Sequence, residues 1–414
     1  MRTTHMVQIG LYHLLFGIAV VALDGFVPAR HEVLGISALW TGIVIGGYNL
    51  AEISRIPFGL VSDSKLLFSR RRTSYIVVGN LVATLGFLTI PLVVASPLLL
   101  ISVVIFALGL SLAGPAADAL LIDLSTKDER PKAASALHSL RILGFALGGM
   151  MGTVLHRLRG FNFIFYAIAG VMLVLTFLSV YHVPDSRKKI EEIPFIPNNQ
   201  LLAIPQGAKL KENLVRREVL LMALFLFVFQ IGLFMQNAIL ERYGVRELHM
   251  PEEQAGTLNA AWAMGTLLAI IFTGFFLIKR LGKMASAYIG IIVAVIGLFL
   301  VSIVETLSQL YIATFVFGIG SGIGSVPPIS LMMDICEVGG TAATMIAFYG
   351  LIDALGKGMA AFLGGGSGQI LGYRPVFHIE ILVFLIALFL LRLTWVEHMK
   401  TNPPSSEVNA VRRS

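Results

Sequence analysis

The sequence predicts an all-α membrane protein of twelve transmembrane helices in two six-helix halves. Three observations carry the prediction: 56% of the 414 residues are hydrophobic and only 13% charged, apolar runs of span length follow one another along the whole chain, and Lys and Arg collect in alternate connectors. Such a composition excludes an ordinary soluble protein. A helical span needs about 20 apolar residues, and these runs are uninterrupted where barrel strands would alternate over about ten residues.

The runs lie at 7–27, 37–62, 73–95, 97–124, 133–157, 162–183, 218–241, 253–278, 284–304, 307–335, 340–368 and 374–396. The first follows Met1-Arg2 and lacks a small-residue cleavage site, so it reads as a retained span. The second discharges into Lys65 and the triplet Arg70-Arg71-Arg72. With that turn inside, the same side collects 21 Lys and Arg, against six outside (Arg30, Arg157, Arg159, Arg242, Arg246 and Arg374). That excess predicts a cytoplasmic turn and cytoplasmic termini, in an inner or photosynthetic membrane. The one long connector, 184–217, carries four prolines and seven cations and reads as a solvated linker on the membrane face. It separates an N-terminal half, 1–183, from a C-terminal half, 218–400. A polar tail, 401–414, is expected to be disordered.

Several function classes fall away. The net charge of +7 sits in loops on one side, so the basic residues set topology and do not form a nucleic-acid surface. A single cysteine, Cys336, leaves no disulfide framework or Cys-based metal site. No Walker-type loop is present, and the glycines at 318–322 lie in an apolar span where they serve packing. No catalytic residue, metal or covalent cofactor is expected.

The halves repeat at an offset of 211 residues: Phe106, Gly109, Leu120 and Asp123 fall on Phe317, Gly320, Leu331 and Asp334. Glycines follow in each next span, at 144, 148 and 149 and at 356, 358 and 364. Lys279-Arg280-Leu281-Gly282-Lys283 is a degenerate echo of the first basic turn. Paired repeats of this kind are expected of a rocking transporter fold with its site between the halves.

Gly59-x-x-x-Asp63 followed by Arg70, Arg71 and Arg72 resembles the signature of the major facilitator superfamily, and the 6 + 6 layout covers nearly the whole chain. Arg55-x-x-x-Gly59-x-x-Ser62-Asp63 with Arg71-Arg72-Thr73-x-Tyr75-Ile76 resembles, more narrowly, the bacteriochlorophyll-delivery (PucC/LhaA-like) family. So do Met332-Met333-Asp334, Gly350, Ala354-Leu355-Gly356, Gly358, Gly364-Gly365 and the turn Glu32-x-Leu34-Gly35-Ile36. The turn Ser125–Lys132 has no matched counterpart. The resemblance implies chlorophyll or bacteriochlorophyll as cargo, light-harvesting apoproteins or pigment-synthesis proteins as partners beside the membrane lipid, and a conformational gate at Asp63 and the arginines.

Ionisable residues at mid-membrane cost roughly 2.5–3.5 kcal/mol each and are rare unless paired or wet. Glu52 and Arg55 share one face of the second span, as Asp353 and Lys357 do on the eleventh. They read either as two self-contained pairs or as an inter-half latch, Arg55–Asp353 beside Glu52–Lys357. Asp118 and Arg141 lie at matching depth on spans four and five and are expected to pair. His138 and His13 read as interhelical donors, with ligation of a chlorin magnesium as the sharper alternative, less so for His13. Gln230, Gln236, Asn237, Glu241, Asn259 and Trp262 read as interhelical glue, with Gln230, Gln236, Asn237 and Trp262 also cavity candidates and Asp334 a further one. Pro327-Pro328 should kink or unwind the tenth span. With 27 Phe, a wide apolar cavity would suit a hydrophobic macrocycle. The other reading is a gradient-driven, proton-coupled carrier, with Asp118, Arg141 and the span-seven amides around a small polar solute.

Overall fold

The computed structural model describes residues 3–64, 67–68, 70, 72–124, 130–181, 183, 214–336 and 342–401, nearly all of them helical. The rods follow in order. α1 runs Thr3–Val21 and passes through a π turn, Ala22–Phe26, into Val27–Val33; α2 comprises Ala38–Ala51, a 3-10 turn at Glu52–Ser54, and Arg55–Ser64. α3 is Thr73–Val93, α4 Leu98–Leu124, α5 Arg130–Arg159 and α6 Phe161–Val180. In the second half α7 comprises Arg217–Phe234, a 3-10 turn at Met235–Ala238, and Leu240–Glu247. α8 is Ala255–Phe272 with a π turn at Thr273–Leu277, leading into the helix Ile278–Ile303, which breaks at Gly282; α9 is the part beyond the break. α10 is Leu307–Cys336, α11 Ala342–Leu371 and α12 Tyr373–Thr401. Gly282 takes φ 80°, a backbone conformation that suits glycine and strains other residues.

Among the described residues, eight helical stretches are long and apolar enough to cross a membrane, the longest of them the 52 residues Glu252–Ile303 that hold both α8 and α9. α2, α5 and α11, richer in glycine and charge, are not among the eight. All three contribute to the site described below, beside α1, α7 and α8.

Packing reproduces the repeat. A Cβ on Gly109 of α4 would lie 2.2 Å from the Ala83 nitrogen of α3; 211 residues on, a Cβ on Gly320 of α10 would lie 2.1 Å from the Ala294 nitrogen of α9. Gly86 against Phe106 has the same counterpart, Gly297 against Phe317. Where side chains are hydrogen, backbones approach closely, and dispersion contacts replace the hydrophobic drive that lipid cannot supply. Between halves, α2 packs on α11 and α5 on α8, through Gly42 against Ala361, Gly46 against Gly358 and Gly149 against Gly256.

α10 runs as one helix through Pro327 and Pro328, so the expected unwinding does not occur. A proline removes one donor, and packing against neighbouring helices keeps such a rod whole; Gly290 of α9 comes up against Gly324 just before the pair.

One end of the bundle carries the connectors at Gly35, Gly160, His249, Val304 and Gly372, and the other carries the Arg72 and Gly282 turns. α1 starts and α12 finishes at the basic-turn end, where Gln8 donates to the Tyr181 carbonyl (2.6 Å) and His398 lies 3.4 Å from Glu218.

Candidate functional site: a charged cavity between the halves

Both halves open their first helix at equivalent places. The π turn Ala22–Phe26 in α1 brings Asp24 inward, and the 3-10 turn Met235–Ala238 in α7 does the same for Gln236 and Asn237. Departures from α geometry inside a helix often mark functional positions. Beneath the α7 turn, fully buried Glu380 of α12 accepts from the Gln236 backbone nitrogen at 3.3 Å, satisfying a donor that the irregular turn leaves without its usual partner.

Between these turns lies a cavity of about 160 Å³. α1 and α2 contribute Asp24, Tyr48, Asn49 and Glu52, and α5 contributes Arg141 and Phe145. The second half supplies Phe234, Gln236, Asn237 and Glu241 from α7, Asn259 and Trp262 from α8, and Lys357 from α11. Phe145 meets Trp262 edge-on, ring centres 6.1 Å apart. The lining therefore mixes charged and amide side chains with an aromatic and aliphatic wall that includes Val20, Ile142 and Leu240.

Glu52, Arg141, Gln236, Asn237, Trp262 and Lys357 meet in this cavity as candidates; Asp118, Gln230 and Asp334 do not line it. The charge pairings differ from the latch. Arg55 binds Asp118 at 3.2 Å, with His13 3.4 Å from the other oxygen of the same carboxylate. Asp353 is held by Lys357 at 2.6 Å and by the Gln230 amide. Glu52 accepts from Tyr48 at 3.3 Å. Arg55 and Asp353 each find their partner inside their own half, because a partner one turn or one packed helix away costs less ordering than one reached across the gap between halves.

Nor does Asp118 pair with Arg141. α4 and α5 scarcely touch, whereas α5 packs along α1, so the Arg141 guanidinium sits 4.1 Å over the Phe16 ring. Asp334 is bound by Lys283 at 2.5 Å, joining the second basic turn to α10. In the first turn, Arg70 is exposed, and buried Arg72 donates to the Ser62 hydroxyl at 3.1 Å, tying the turn back onto α2. A Cβ on Gly59 would meet Pro115 of α4 only at an ordinary contact distance of 3.5 Å. The Asp63, Asp123 and His138 side chains, Arg71, the connector at 184–213 and the tail beyond 401 lie outside the described residues.

Sequence reading missed the lock at the opposite end. Arg242 of α7 reaches Glu32 at 2.7 Å, the Thr41 hydroxyl at 2.8 Å and the Ile36 carbonyl at 2.6 Å, all in the first half, while its Nε donates to Tyr373 at 3.0 Å. Tyr373 in turn donates to Glu32 at 2.5 Å. Beside it, Arg30 bonds Glu252 at 3.2 Å, with His156 3.5 Å from the other oxygen of that carboxylate. Position along the chain marks Arg30 and Arg242 only as exterior loop charges. Asp24 and Glu380 were missed as well, although each stands as a lone acid in an apolar run.

The model of the family described as PUCC protein matches residues 32–398. The chain belongs to the PucC family. Among similar proteins, the bacteriochlorophyll synthase 44.5 kDa chain of Rhodobacter capsulatus is 25% identical over 409 residues, covering 92% of this chain and 92% of that protein. An uncharacterized protein in the puhA-bchM intergenic region of Rhodobacter capsulatus is 23% identical, covering 64% of this chain and 56% of that one. Of solved structures, a bacterial homolog of the human lysosomal transporter Spinster, inward-facing and occupied, superposes with a TM-score of 0.74 at 13% identity, covering 97% of this chain and 98% of that one. The nucleoside transporter NupG gives a TM-score of 0.72 at 12% identity, covering 95% of this chain and 99% of that one. At such identities the likeness shows the fold, and this PucC-family protein has the major facilitator architecture.

Proposed function

We propose that this membrane protein handles chlorophyll or bacteriochlorophyll, holding or delivering the pigment for assembly of light-harvesting complexes, and that it does no chemistry on it. The observation that carries the reading is the family match across residues 32–398. The named relative of similar length, a bacteriochlorophyll synthase chain, supports the same pigment. In the state described, a cavity of about 160 Å³ falls below the roughly 300–1,000 Å³ of ordinary ligand pockets. A macrocycle is therefore engaged in a state with the halves further apart. Light-harvesting apoproteins or pigment-synthesis proteins would be its partners. The excess of Lys and Arg supports a cytoplasmic basic turn and cytoplasmic termini.

The test is an absorption spectrum of the protein purified in mild detergent from a pigment-making host. Chlorin bands that follow the protein through gel filtration are the expected result. A colourless protein, unable to take up added pigment, would remove the reading.

A further inference from the structure

The central cavity holds more acid than its cations neutralise. Asp24 of α1 and Glu241 of α7 face it from opposite halves, and each leaves one buried oxygen, Oδ1 and Oε2, without a hydrogen-bond partner. Glu241 is 2% exposed, and its other oxygen accepts from Asn259 Nδ2 at 2.6 Å. The groups around the pair are Tyr48 and Glu52 from α2, Arg141 from α5, Arg242 beside Glu241 on α7, and Lys357 from α11. Lys357 is committed to Asp353 and Arg242 to Glu32. Among the described residues that leaves Arg141, seated on Phe16, to face Asp24, Glu52 and Glu241.

We propose that Asp24 and Glu241 form a proton-binding site, one carboxyl from each half, and that opening of the lock at Arg242 is linked to release of a proton there. The proposal is independent of the pigment reading. A proton fits better than a metal cation. Hard cations seek six or more oxygens, whereas one Glu241 oxygen is taken by an amide donor and no group of three or more His, Cys, Asp and Glu suited to a metal exists among the described residues. Asp24 stands on the π turn of α1 and Glu241 in the first turn of the helix that follows the 3-10 turn of α7, and Glu241 adjoins Arg242 in sequence, so its ionisation is mechanically joined to the lock.

With both carboxyls protonated, the halves stay together at the lock. When a proton leaves, the ion needs water, and the halves part there.

The test uses the full chain in lipid nanodiscs, with Cys336→Ser and spin labels at Leu34→Cys and Leu371→Cys, exposed positions of opposite halves at the lock end. Distance distributions are recorded from pH 5 to 9. One linked proton changes the ratio of long to short distances by about tenfold per pH unit across its titrating range. Asp24→Asn or Glu241→Gln, each checked for monodispersity, should flatten that dependence and favour the short distance. A ratio in the parent chain that ignores pH, or one whose pH response persists in both variants, overturns the proposal. A response to sodium at fixed pH overturns it in favour of a metal cation.

Discussion

Glu32 of the first half and Arg242 of the second are joined at 2.7 Å, both buried or nearly so, with side chains 12% and 4% exposed. Removing one member of a buried pair strands the other and costs about 3–5 kcal/mol, on the order of a hundredfold or more in an equilibrium. Arg242→Gln should therefore shift the halves apart at this end by that factor. Spin labels at positions 34 and 371 would report it, and an unchanged distance distribution would show the pair to be idle.

Glycine contacts within and between halves should behave differently. A Cβ on Gly149 would stand 2.2 Å from the Gly256 carbonyl oxygen across the halves, whereas one on Gly109 would stand 2.2 Å from Ala83 within a half. Overpacking costs about 1–3 kcal/mol. Gly109→Ala should lower thermal stability in detergent; Gly149→Ala should chiefly widen the distance between halves and leave the melting temperature nearly unchanged.

The Arg55–Asp118 pair predicts a non-additive cycle. Because Arg55 and Asp118 are 32% and 47% exposed, water weakens the pair, and Asp118→Ala should cost only about 1 kcal/mol. The double variant Arg55→Ala, Asp118→Ala should cost less than the sum of the two single variants, since either single change already loses the pair. Chemical unfolding of the set in detergent decides it. Equal, additive losses would argue against the pairing.

Topology can be read by labelling. In a Cys336→Ser background, Phe68→Cys at the basic turn, 78% exposed, should resist an impermeant thiol reagent applied to intact cells. Glu305→Cys, exposed in the connector after α9, should react. The reverse pattern would invert the orientation.

The repeat at 211 residues was legible because Phe106, Gly109 and their counterparts recur in sequence, and the structure shows each glycine pressed on the same neighbour in its own half. The cavity was legible in part: Glu52, Arg141, Gln236, Asn237, Trp262 and Lys357 are polar residues in apolar runs, and six such residues meet in one place. Who binds whom was not. Asp118 and Arg141 match in depth along the chain, but α1 lies along α5 and takes the arginine's face against Phe16.

By itself the sequence determined what depends on local sums: that the chain enters a membrane, where its apolar runs lie, that its halves are copies and which residues carry charge into those runs. Hydropathy and glycine spacing act along a single helix. Only the tertiary structure decided that Arg55 takes Asp118 over Asp353, that Arg242 bolts the halves together, and that Asp24 and Glu241 face one cavity. Those outcomes depend on ångström distances between helices far apart in the chain, and electrostatic attraction falls off too steeply with distance and water for residue spacing to stand in for them.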